Sequence, residues 1–373
     1  MPGVGIGLIG TGFMGKAHAL AYRAARPVFG DVPEARLELL CDVPGDKARA
    51  MAEQFGFARA TDDWRQLMSD PRVDIVSITT PNRMHREMAL AAIAAGKHVH
   101  CEKPMGLTLA DAEEMAAAAA KAGVKTMVGY NYIKNPAFQH ACRLVRDGAI
   151  GRPIHFRGWV DEDYQADPDA PWTWRARPEE AGLGALGDLG CHLVSMAYGL
   201  IGPIESLVAD MQTVHKTRAL PGSSERKAVE NEDVASALLQ FRNGAHGSIS
   251  TSRTAWGRKN RLGWEVHGTK GTLVFDQERM NELQIYQNDG NPAAQGFKTI
   301  LTSPAHPPYG SFCPAPGHQL GFNDLKVIET GAFLRWVGGG EKSSPDFSEA
   351  LEFEKVIHAM ALSARERRRV ELA

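Results

Sequence analysis

Several features that mark secreted, membrane-spanning or metal-stabilised proteins are missing from this sequence. Its five cysteines are scattered, odd in number and form no Cys-x-x-Cys pair, which argues against a disulfide framework and a structural zinc site. No apolar run approaches the roughly 20 residues that span a bilayer. The apolar residues 4–9 follow no basic segment and lead into glycines, so we expect no signal peptide and a cytoplasmic location.

An excess of charge of one sign is also lacking. The 42 basic and 44 acidic side chains give a formal net charge of −2, so we expect neither nucleic acid nor a membrane surface as a partner. The 13 histidines are dispersed and form no His-Glu-x-x-His motif, and we expect no bound metal. A Gly-x-Ser-x-Gly elbow, which would indicate a serine hydrolase, is absent as well.

What the sequence does contain is two regions of different periodicity. At 373 residues the chain exceeds one ordinary core, so two domains are expected. The first third alternates short apolar strands with helical patterns, which predicts a doubly wound parallel sheet covered on both faces. The predicted strands are 4–9, 37–41, 75–79, 98–101 and 126–128, and the predicted helices are 13–25, 46–55, 84–95 and 109–122.

From about residue 132, strands predominate and several of them alternate apolar with polar residues. Such alternation is typical of an antiparallel sheet with one exposed face. Helical patterns return at residues 325–336 and 347–364. We therefore predict an α/β protein with domains at 1–131 and 132–373, in which the last helices can pack back on the first domain. The exposed sheet face favours a homodimer or homotetramer.

The first motif is Gly10-Thr11-Gly12-Phe13-Met14-Gly15, which follows a predicted strand and opens a predicted helix. In a dinucleotide fingerprint the first glycine allows a tight turn, the second lets the backbone approach the diphosphate, and the third lets the helix pack on the strand. The helix N-terminus attracts the diphosphate. Chance occurrence is the alternative, because glycine is common in this chain.

Asp42 ends the second predicted strand, where the adenosine ribose of a dinucleotide is expected. A carboxylate accepts hydrogen bonds from both ribose hydroxyls and repels a 2′-phosphate. No arginine follows directly in Val43-Pro44-Gly45, so NAD is favoured over NADP. The alternative is that Asp42 caps the next helix.

Two further segments follow predicted strands at the carboxyl edge, where open parallel sheets bind their ligands. Thr80-Pro81-Asn82 with His85 follows the third strand, and Asn82 is expected to contact the cofactor, to cap the next helix, or both. Glu102-Lys103-Pro104 follows the fourth strand. A lysine at this position can polarise a carbinol oxygen or accept its proton.

The second region carries two candidate groups. Asp188 and His192 are four residues apart and would project from one face of a helix, where a carboxylate can fix the tautomer of an imidazole and suit it to proton transfer. An N-cap aspartate with an ordinary first-turn histidine is the alternative. In Trp172-Thr173-Trp174-Arg175 the aromatic rings could line a sugar pocket, or could belong to the core or an interface.

Over essentially its whole length the chain resembles the Gfo/Idh/MocA oxidoreductases, named for glucose–fructose oxidoreductase and inositol dehydrogenase. The resemblance rests on the glycine fingerprint, Thr80-Pro81-Asn82 with His85, and Glu102-Lys103-Pro104. It continues through Gly129-Tyr130-Asn131, Gly187-Asp188-x-Gly190-x-His192 and Gly268-Thr269-x-Gly271-x-Leu273. It implies an N-terminal Rossmann domain and a C-terminal α/β domain with a large, mostly antiparallel sheet.

The resemblance also implies residue roles. Lys103 would be the catalytic lysine, His192 the acid/base and Asp188 its partner, although some members give the proton transfer to the lysine. The residues expected to bind NAD are Gly10, Thr11, Gly12, Phe13, Met14, Gly15, Asp42, Thr80, Asn82, His85, Glu102, Lys103 and Asn131. Those expected to bind substrate are Lys103, Asp163, Trp174, Arg175, Asp188 and His192.

The function that follows is an NAD-dependent dehydrogenase that oxidises a secondary hydroxyl of a cyclic polyol, sugar or glycoside. Two alternatives remain. One is an NAD-dependent glycosidase that works by transient oxidation and elimination, as some relatives do. The other is a sensor that binds a dinucleotide without catalysis, which the presence of both Lys103 and His192 disfavours.

Overall fold

The structure, a computed structural model, describes residues 3–372. These residues form two compact units. The first comprises residues 3–134 and 321–354, and the second comprises residues 135–320 and 355–372. The division into a cofactor domain at 1–131 and a substrate domain at 132–373 stays a prediction about function.

The helices and strands are numbered in chain order. The first are β1 Val4–Ile9, α1 Phe13–Phe29, β2 Ala35–Cys41, α2 Gly45–Phe55, β3 Arg59–Thr61, α3 Arg65–Ser69, β4 Ile75–Ile78, α4 His85–Ala94, β5 His98–Cys101, α5 Leu109–Ala122 and β6 Thr126–Val128. There follow α6 Pro136–Arg146, β7 Pro153–Asp161, α7 Pro178–Ala181, α8 Cys191–Ile201, β8 Ile204–Gln212, β9 Thr217–Ala219, β10 Arg226–Ala228, β11 Val234–Phe241 and β12 His246–Ser252. The last are β13 Arg261–Gly268, β14 Gly271–Asp276, β15 Glu282–Gln287, β16 Lys298–Leu301, α9 Phe322–Val337, α10 Phe347–Glu366 and β17 Val370–Glu371.

The first unit contains a parallel sheet of six strands in the order β3-β2-β1-β4-β5-β6. All six residues of β1 and all four of β4 are buried, as expected for strands covered on both faces. The strand order reverses between β1 and β4, and such a switch point is where open α/β sheets bind ligands. The predicted Rossmann-type domain is confirmed.

Helix α9 joins this unit from a distant part of the sequence. It packs along α1, where Gly331 leaves the space that the ring of Phe29 occupies. Its buried residues include two charged side chains, Lys326 and Glu329, as well as apolar ones. A core helix that carries buried charges requires partners for them, and the first unit supplies those partners.

The second unit contains a sheet of nine strands in the order β16-β15-β14-β13-β7-β12-β11-β8-β17. Its strand pairs are antiparallel except for the parallel pair β7 and β12. Burial alternates along β11, so one face packs in the core and the other is open. The predicted large, mostly antiparallel sheet is confirmed. Among the described helices, none combines the length and the apolar composition needed to cross a bilayer.

Candidate active site

The carboxyl edge of the parallel sheet brings together four strand ends. Backbone hydrogen bonds tie each end to its neighbour: Gly10 N–H to Cys41 O at 2.9 Å, Thr79 N–H to Ile9 O at 2.9 Å and Glu102 N–H to Ile78 O at 3.0 Å. The residues that the sequence predicts to bind NAD after β1, β2, β4 and β5 therefore lie along one edge. Because these strands are parallel, this is the edge where ligands are expected.

The glycine fingerprint has the geometry that a dinucleotide requires. Gly10 has φ of +96°, which disfavours any side chain, and a Cβ on Gly15 would overlap the carbonyl oxygen of Gly10. Gly12 is different, because a Cβ there would meet no protein atom within 4 Å. Gly12 precedes α1 as its N-cap and makes no side-chain cap, so the helix N-terminus faces open space. A diphosphate fits this cradle, since unsatisfied N–H groups and the helix dipole favour an anion.

Two fingerprint side chains follow in the first turn of α1. Phe13 is exposed to 72% and stacks on Phe322 of α9, with 5.3 Å between ring centroids. Met14 is half-buried. Their predicted contacts with NAD stay predictions, but Phe13 offers a broad apolar surface beside the cradle.

Asp42 does not cap helix α2, which has Pro44 as its N-cap residue. Its carboxylate instead accepts hydrogen bonds from the backbone N–H of Thr11 at 2.9 Å and from the Thr11 hydroxyl, and it pairs with Lys47 at 2.9 Å. Burial opposes ionisation, but the bonds from Thr11 and Lys47 outweigh it and hold the pKa of Asp42 below its usual value. Asp42 is thus an ionised acceptor beside the glycine loop.

The segment after β4 does not use Asn82 as a cap. Asn82 begins a 3-10 turn, Asn82–Met84, whose N-cap residue is Pro81. His85 is fully buried, with Nδ1 2.9 Å from Pro104 O and Nε2 3.0 Å from Thr80 O, and burial lowers its pKa. His85 therefore links the end of β4 to the Glu102-Lys103-Pro104 segment. These contacts give it a structural role, and its predicted contact with NAD stays a prediction.

Glu102 turns its carboxylate into the interior. Its Oε1 lies 2.8 Å from His18 Nε2 and 2.7 Å from Lys326 Nζ, and its Oε2 accepts a long bond of 3.4 Å from the backbone N–H of Lys103. A Cβ on Gly129 would overlap this carboxylate, which explains the glycine in Gly129-Tyr130-Asn131. The side chain of Glu102 is thus committed to protein contacts, so a cofactor contact of this residue would use its backbone.

Glu102 belongs to a buried polar network that sequence reasoning missed. Its members are Ser77, His18, Glu102, Lys326, Glu329, His100 and Tyr22, and all are at most 4% exposed. Lys326 Nζ lies 2.7 Å from Glu102 Oε1 and 2.7 Å from Glu329 Oε1. Burial opposes both ionised carboxylates, yet Lys326 holds the pKa of Glu102 well below its usual range and also lowers that of Glu329.

Part of this network has donor atoms close enough to hold a metal ion, namely His18, His100 and Glu329. These atoms already have partners: His18 Nε2 meets Glu102, and His100 Nε2 meets Glu329 Oε1 at 3.0 Å. The Lys326 ammonium supplies positive charge at the same oxygen of Glu329. The contacts favour an ion-pair network at this place, and the expected lack of a metal stays a prediction.

The second unit holds the other predicted catalytic residues. Asp188 lies in a single π-helical turn, Leu186–Gly190, which leads into α8, where His192 is buried. Such turns are frequent at functional sites. Asp188 does not begin a helix as a cap, because its N–H already bonds to Gly184 O, four residues earlier, at 2.9 Å. The predicted pairing of Asp188 with His192 stays a prediction.

The carboxylate of Asp188 has partners that the sequence did not reveal. Tyr164 donates its hydroxyl at 3.0 Å, and Arg175 Nε lies 3.5 Å away. The Arg175 guanidinium also covers the ring of Trp174 at 4.6 Å. Tyr164 lies in an irregular segment, so no periodicity could have singled it out. Together these side chains form an aromatic and charged group around Asp188.

The remaining predicted substrate residue, Asp163, is engaged elsewhere. Its carboxylate accepts from Lys259 Nζ at 2.6 Å and from the backbone N–H of Gly257 at 3.1 Å. Trp172 donates its indole N–H to Ala228 O at 2.9 Å, which favours a structural role for this tryptophan. Asn131, predicted to contact NAD, is buried in the 3-10 turn after β6. The binding roles of Asp163 and Asn131 stay predictions.

Comparison with known proteins gives full-length matches. Residues 4–130 match the model of the oxidoreductase family with an NAD-binding Rossmann fold, and residues 138–274 match the GFO/IDH/MocA C-terminal domain. The levoglucosan dehydrogenase of Pseudarthrobacter phenanthrenivorans is 36% identical over 98% of this chain and 97% of its own length. The D-apiose dehydrogenase of Paraburkholderia graminis is 32% identical over 98% of this chain and 88% of its own.

Solved structures agree. Levoglucosan dehydrogenase in complex with NADH and L-sorbose has a TM-score of 0.97 and 36% identity, with 100% of both chains covered. An NAD-binding oxidoreductase from Klebsiella pneumoniae has a TM-score of 0.95 and 43% identity, with 100% of this chain and 99% of that chain covered. The predicted cofactor, NAD, is confirmed.

The open space at Gly12 generates the first prediction. We expect Gly12→Ala to fold normally, because the methyl group meets no protein atom, but to weaken NADH binding by about tenfold or more, since the methyl fills the diphosphate cradle. Thermal unfolding and NADH fluorescence titration measure the two effects. Gly296→Ala, another glycine with open space around it, is the control and should change neither. Unchanged NADH affinity in Gly12→Ala would place the diphosphate elsewhere.

The environment of Asp42 generates the second prediction. Asp42→Ser removes the ribose acceptor and the negative charge while Lys47 remains, so kcat/KM with NAD relative to NADP should fall by about tenfold or more. Steady-state kinetics with both cofactors measure the ratio. Asp46→Ser, at an exposed aspartate paired with Arg49, is the control and should leave it unchanged. An unaltered ratio in Asp42→Ser would contradict the assignment.

Proposed function

The chain belongs to the Gfo/Idh/MocA family of NAD-dependent oxidoreductases, and we propose that it oxidises a secondary hydroxyl of a cyclic sugar of the levoglucosan type. Its relatives include proteins named as dehydrogenases of levoglucosan, D-apiose and myo-inositol. The observation that carries the narrower proposal is the similarity to levoglucosan dehydrogenase over essentially the full length of both chains, in sequence and in fold.

In the proposed reaction the substrate loses a hydride from its carbinol carbon and a proton from its hydroxyl, and becomes a ketone. NAD, when bound, supplies the nicotinamide ring that accepts the hydride. Lys103 stabilises the negative charge that develops on the oxygen, and His192 takes the proton. The position of Lys103 directly after β5 supports its role, because this strand end lies at the ligand-binding edge of the sheet.

Asp188 completes the proposed set. Its carboxylate favours the protonated imidazole that His192 becomes after accepting a proton. Tyr164 and Arg175 support this role by holding the carboxylate in place. Trp174 provides an aromatic face of the kind that packs on sugar rings.

We further propose that the protein forms a homodimer or homotetramer through the open face of the nine-stranded sheet. Leu238 of β11 is 62% exposed and Leu301 of β16 is 58% exposed. Apolar side chains so exposed favour coverage by a partner. The scattered cysteines support a reducing compartment such as the cytoplasm.

The test of the proposed function is a panel of cyclic sugars, including levoglucosan, D-apiose and inositols, with NAD and the wild-type enzyme. We expect net formation of NADH with one or more of them. Lys103→Met should lower kcat by at least about 100-fold while the NADH dissociation constant changes less than about twofold. Lys121→Met, at an exposed lysine of α5, is the matched control and should retain full activity.

Three outcomes would contradict the proposal. Lack of NADH formation with the whole panel would reject the substrate class. Release of an aglycone without net NADH would favour the glycosidase alternative. Full turnover by Lys103→Met would remove Lys103 from the reaction.

The role of His192 has its own test. A histidine that accepts the proton must be neutral, so kcat of the wild type should fall as pH decreases from about 8 to 5. His192→Asn should lower kcat by about 100-fold and remove this fall. Exposed His246→Asn is the control and should keep the wild-type profile. If His192→Asn leaves the profile unaltered, the proton acceptor is Lys103.

A further inference from the structure

We propose that Lys326 is a positioning residue for catalysis, because its ammonium holds the Glu102 carboxylate that supports the backbone of Lys103. Lys326 lies on α9, more than 200 positions along the chain from the residue it would position. The inference rests on the proposed catalytic role of Lys103. It adds to that role a residue that does not itself touch the substrate.

The geometry makes Glu102 a bridge between α9 and Lys103. One carboxylate oxygen of Glu102 receives the Lys326 ammonium at 2.7 Å, and the other accepts from the backbone N–H of Lys103 at 3.4 Å. The space beside the carboxylate is closed by Gly129, where even a Cβ would overlap it. Because the Glu102 carboxylate is confined in this way, a movement of the Lys326 ammonium displaces it. The displacement then reaches the peptide group that carries the Lys103 N–H.

The partners of the two histidines decide which Nε2 atoms carry hydrogen. An ionised carboxylate only accepts hydrogen bonds, so the Nε2 atom of His18 must carry the hydrogen that it shares with Glu102, and Nε2 of His100 must do the same toward Glu329. The Nδ1 atom of His18 lies 2.7 Å from the Ser77 hydroxyl, and that of His100 lies 3.0 Å from the Tyr22 hydroxyl.

His18 is neutral, because burial above all lowers its pKa to about 4. Lys326 is the cation that directly contacts both buried carboxylates. Without it, Glu102 and Glu329 would be buried carboxylates deprived of their cation, and at least one of them would take up a proton or move. Because Glu102 supports the Lys103 backbone, such a change reaches the catalytic strand end.

The activity test compares Lys326→Met with Tyr22→Phe in the full-length enzyme. Lys326→Met should lower kcat by about tenfold or more, while the NADH dissociation constant changes less than about twofold, because the glycine cradle and Asp42 are untouched. Tyr22→Phe removes a hydroxyl of the same network that contacts His100 and keeps both contacts of Lys326. It should keep kcat within about twofold. Equal losses in the two variants would overturn the inference.

A second pair of variants keeps the test decisive if Lys326→Met does not fold. Glu329→Gln leaves one ammonium facing one carboxylate and should keep kcat within about threefold of the wild type. The double variant Glu329→Gln with Lys326→Met removes the cation together with one carboxylate, so it destabilises the fold less than Lys326→Met alone. It should still lower kcat by about tenfold. If Glu329→Gln and the double variant have the same kcat, Lys326 does not position Lys103.

A readout without substrate separates this inference from the proposed function. Competitive acetylation followed by mass spectrometry gives the reactivity of Lys103 relative to exposed Lys121. We expect Lys326→Met to change this ratio by about threefold or more, and Tyr22→Phe to leave it unchanged. If no sugar is oxidised, the proposed function fails while the acetylation ratio still tests the positioning. An unchanged ratio in Lys326→Met overturns the positioning.

Unfolding at several pH values checks the charge argument. In the wild type the depressed pKa values of Glu102 and Glu329 mean that the folded state binds fewer protons than the unfolded state near pH 4. Their stabilisation is present above about pH 4.5 and is lost as the pH falls. In Lys326→Met, burial without a cation raises these pKa values, so the Tm deficit of the variant should grow as the pH rises from about 5 to 8. A deficit independent of pH would show that the carboxylates do not depend on Lys326.

Discussion

The buried ion pairs of Lys326 constrain the packing of the first unit. The ammonium shares its charge between Glu102 after β5 and Glu329 on α9, and Glu102 in turn meets His18 of α1. Removing one partner from such a group leaves an uncompensated buried charge, which costs several kcal/mol. The network therefore joins α1, α9 and the end of β5 through direct polar contacts.

Helix α1 connects this constraint to the cofactor cradle. Its N-terminus begins beside Gly12, and His18 lies six residues later, about 9 Å along the axis at 1.5 Å per residue. Helix α1 therefore carries the glycine cradle, proposed to hold the diphosphate, at its N-terminus, and it carries His18, which meets Glu102, on its buried face. On the other side of the cradle, Thr11 holds the ionised Asp42. The glycine cradle, Asp42 and the strand end that precedes Lys103 thus all belong to the first unit.

The sequence predicted the parts of this arrangement that have a local signature. Glycine spacing located the cradle, and strand–helix alternation predicted the parallel sheet. The three-residue strands β3, β9 and β10 were missed because so short a segment shows no period. Helix α1 was predicted to end before Pro27, yet the helix includes it in its last turn, where the proline removes one i→i−4 hydrogen bond.

The buried network escaped prediction for a different reason. Lys326 and Glu329 are three residues apart on a helix, and a pair of opposite charges at that spacing is typical of a solvated helix face. Only the fold shows that this face is turned to His18 and Glu102.

The residues around the proposed catalytic groups of the two units differ in burial. Glu102 is buried, whereas the Asp188 and Arg175 side chains are 29% and 43% exposed. Because exposed ion pairs contribute little to stability, residues around Asp188 can be exchanged at small cost to the fold, while those around Glu102 cannot. Relatives named for levoglucosan, D-apiose and myo-inositol match most of this chain, and we expect the residues that distinguish their substrates to lie on the more exposed side, around Asp188.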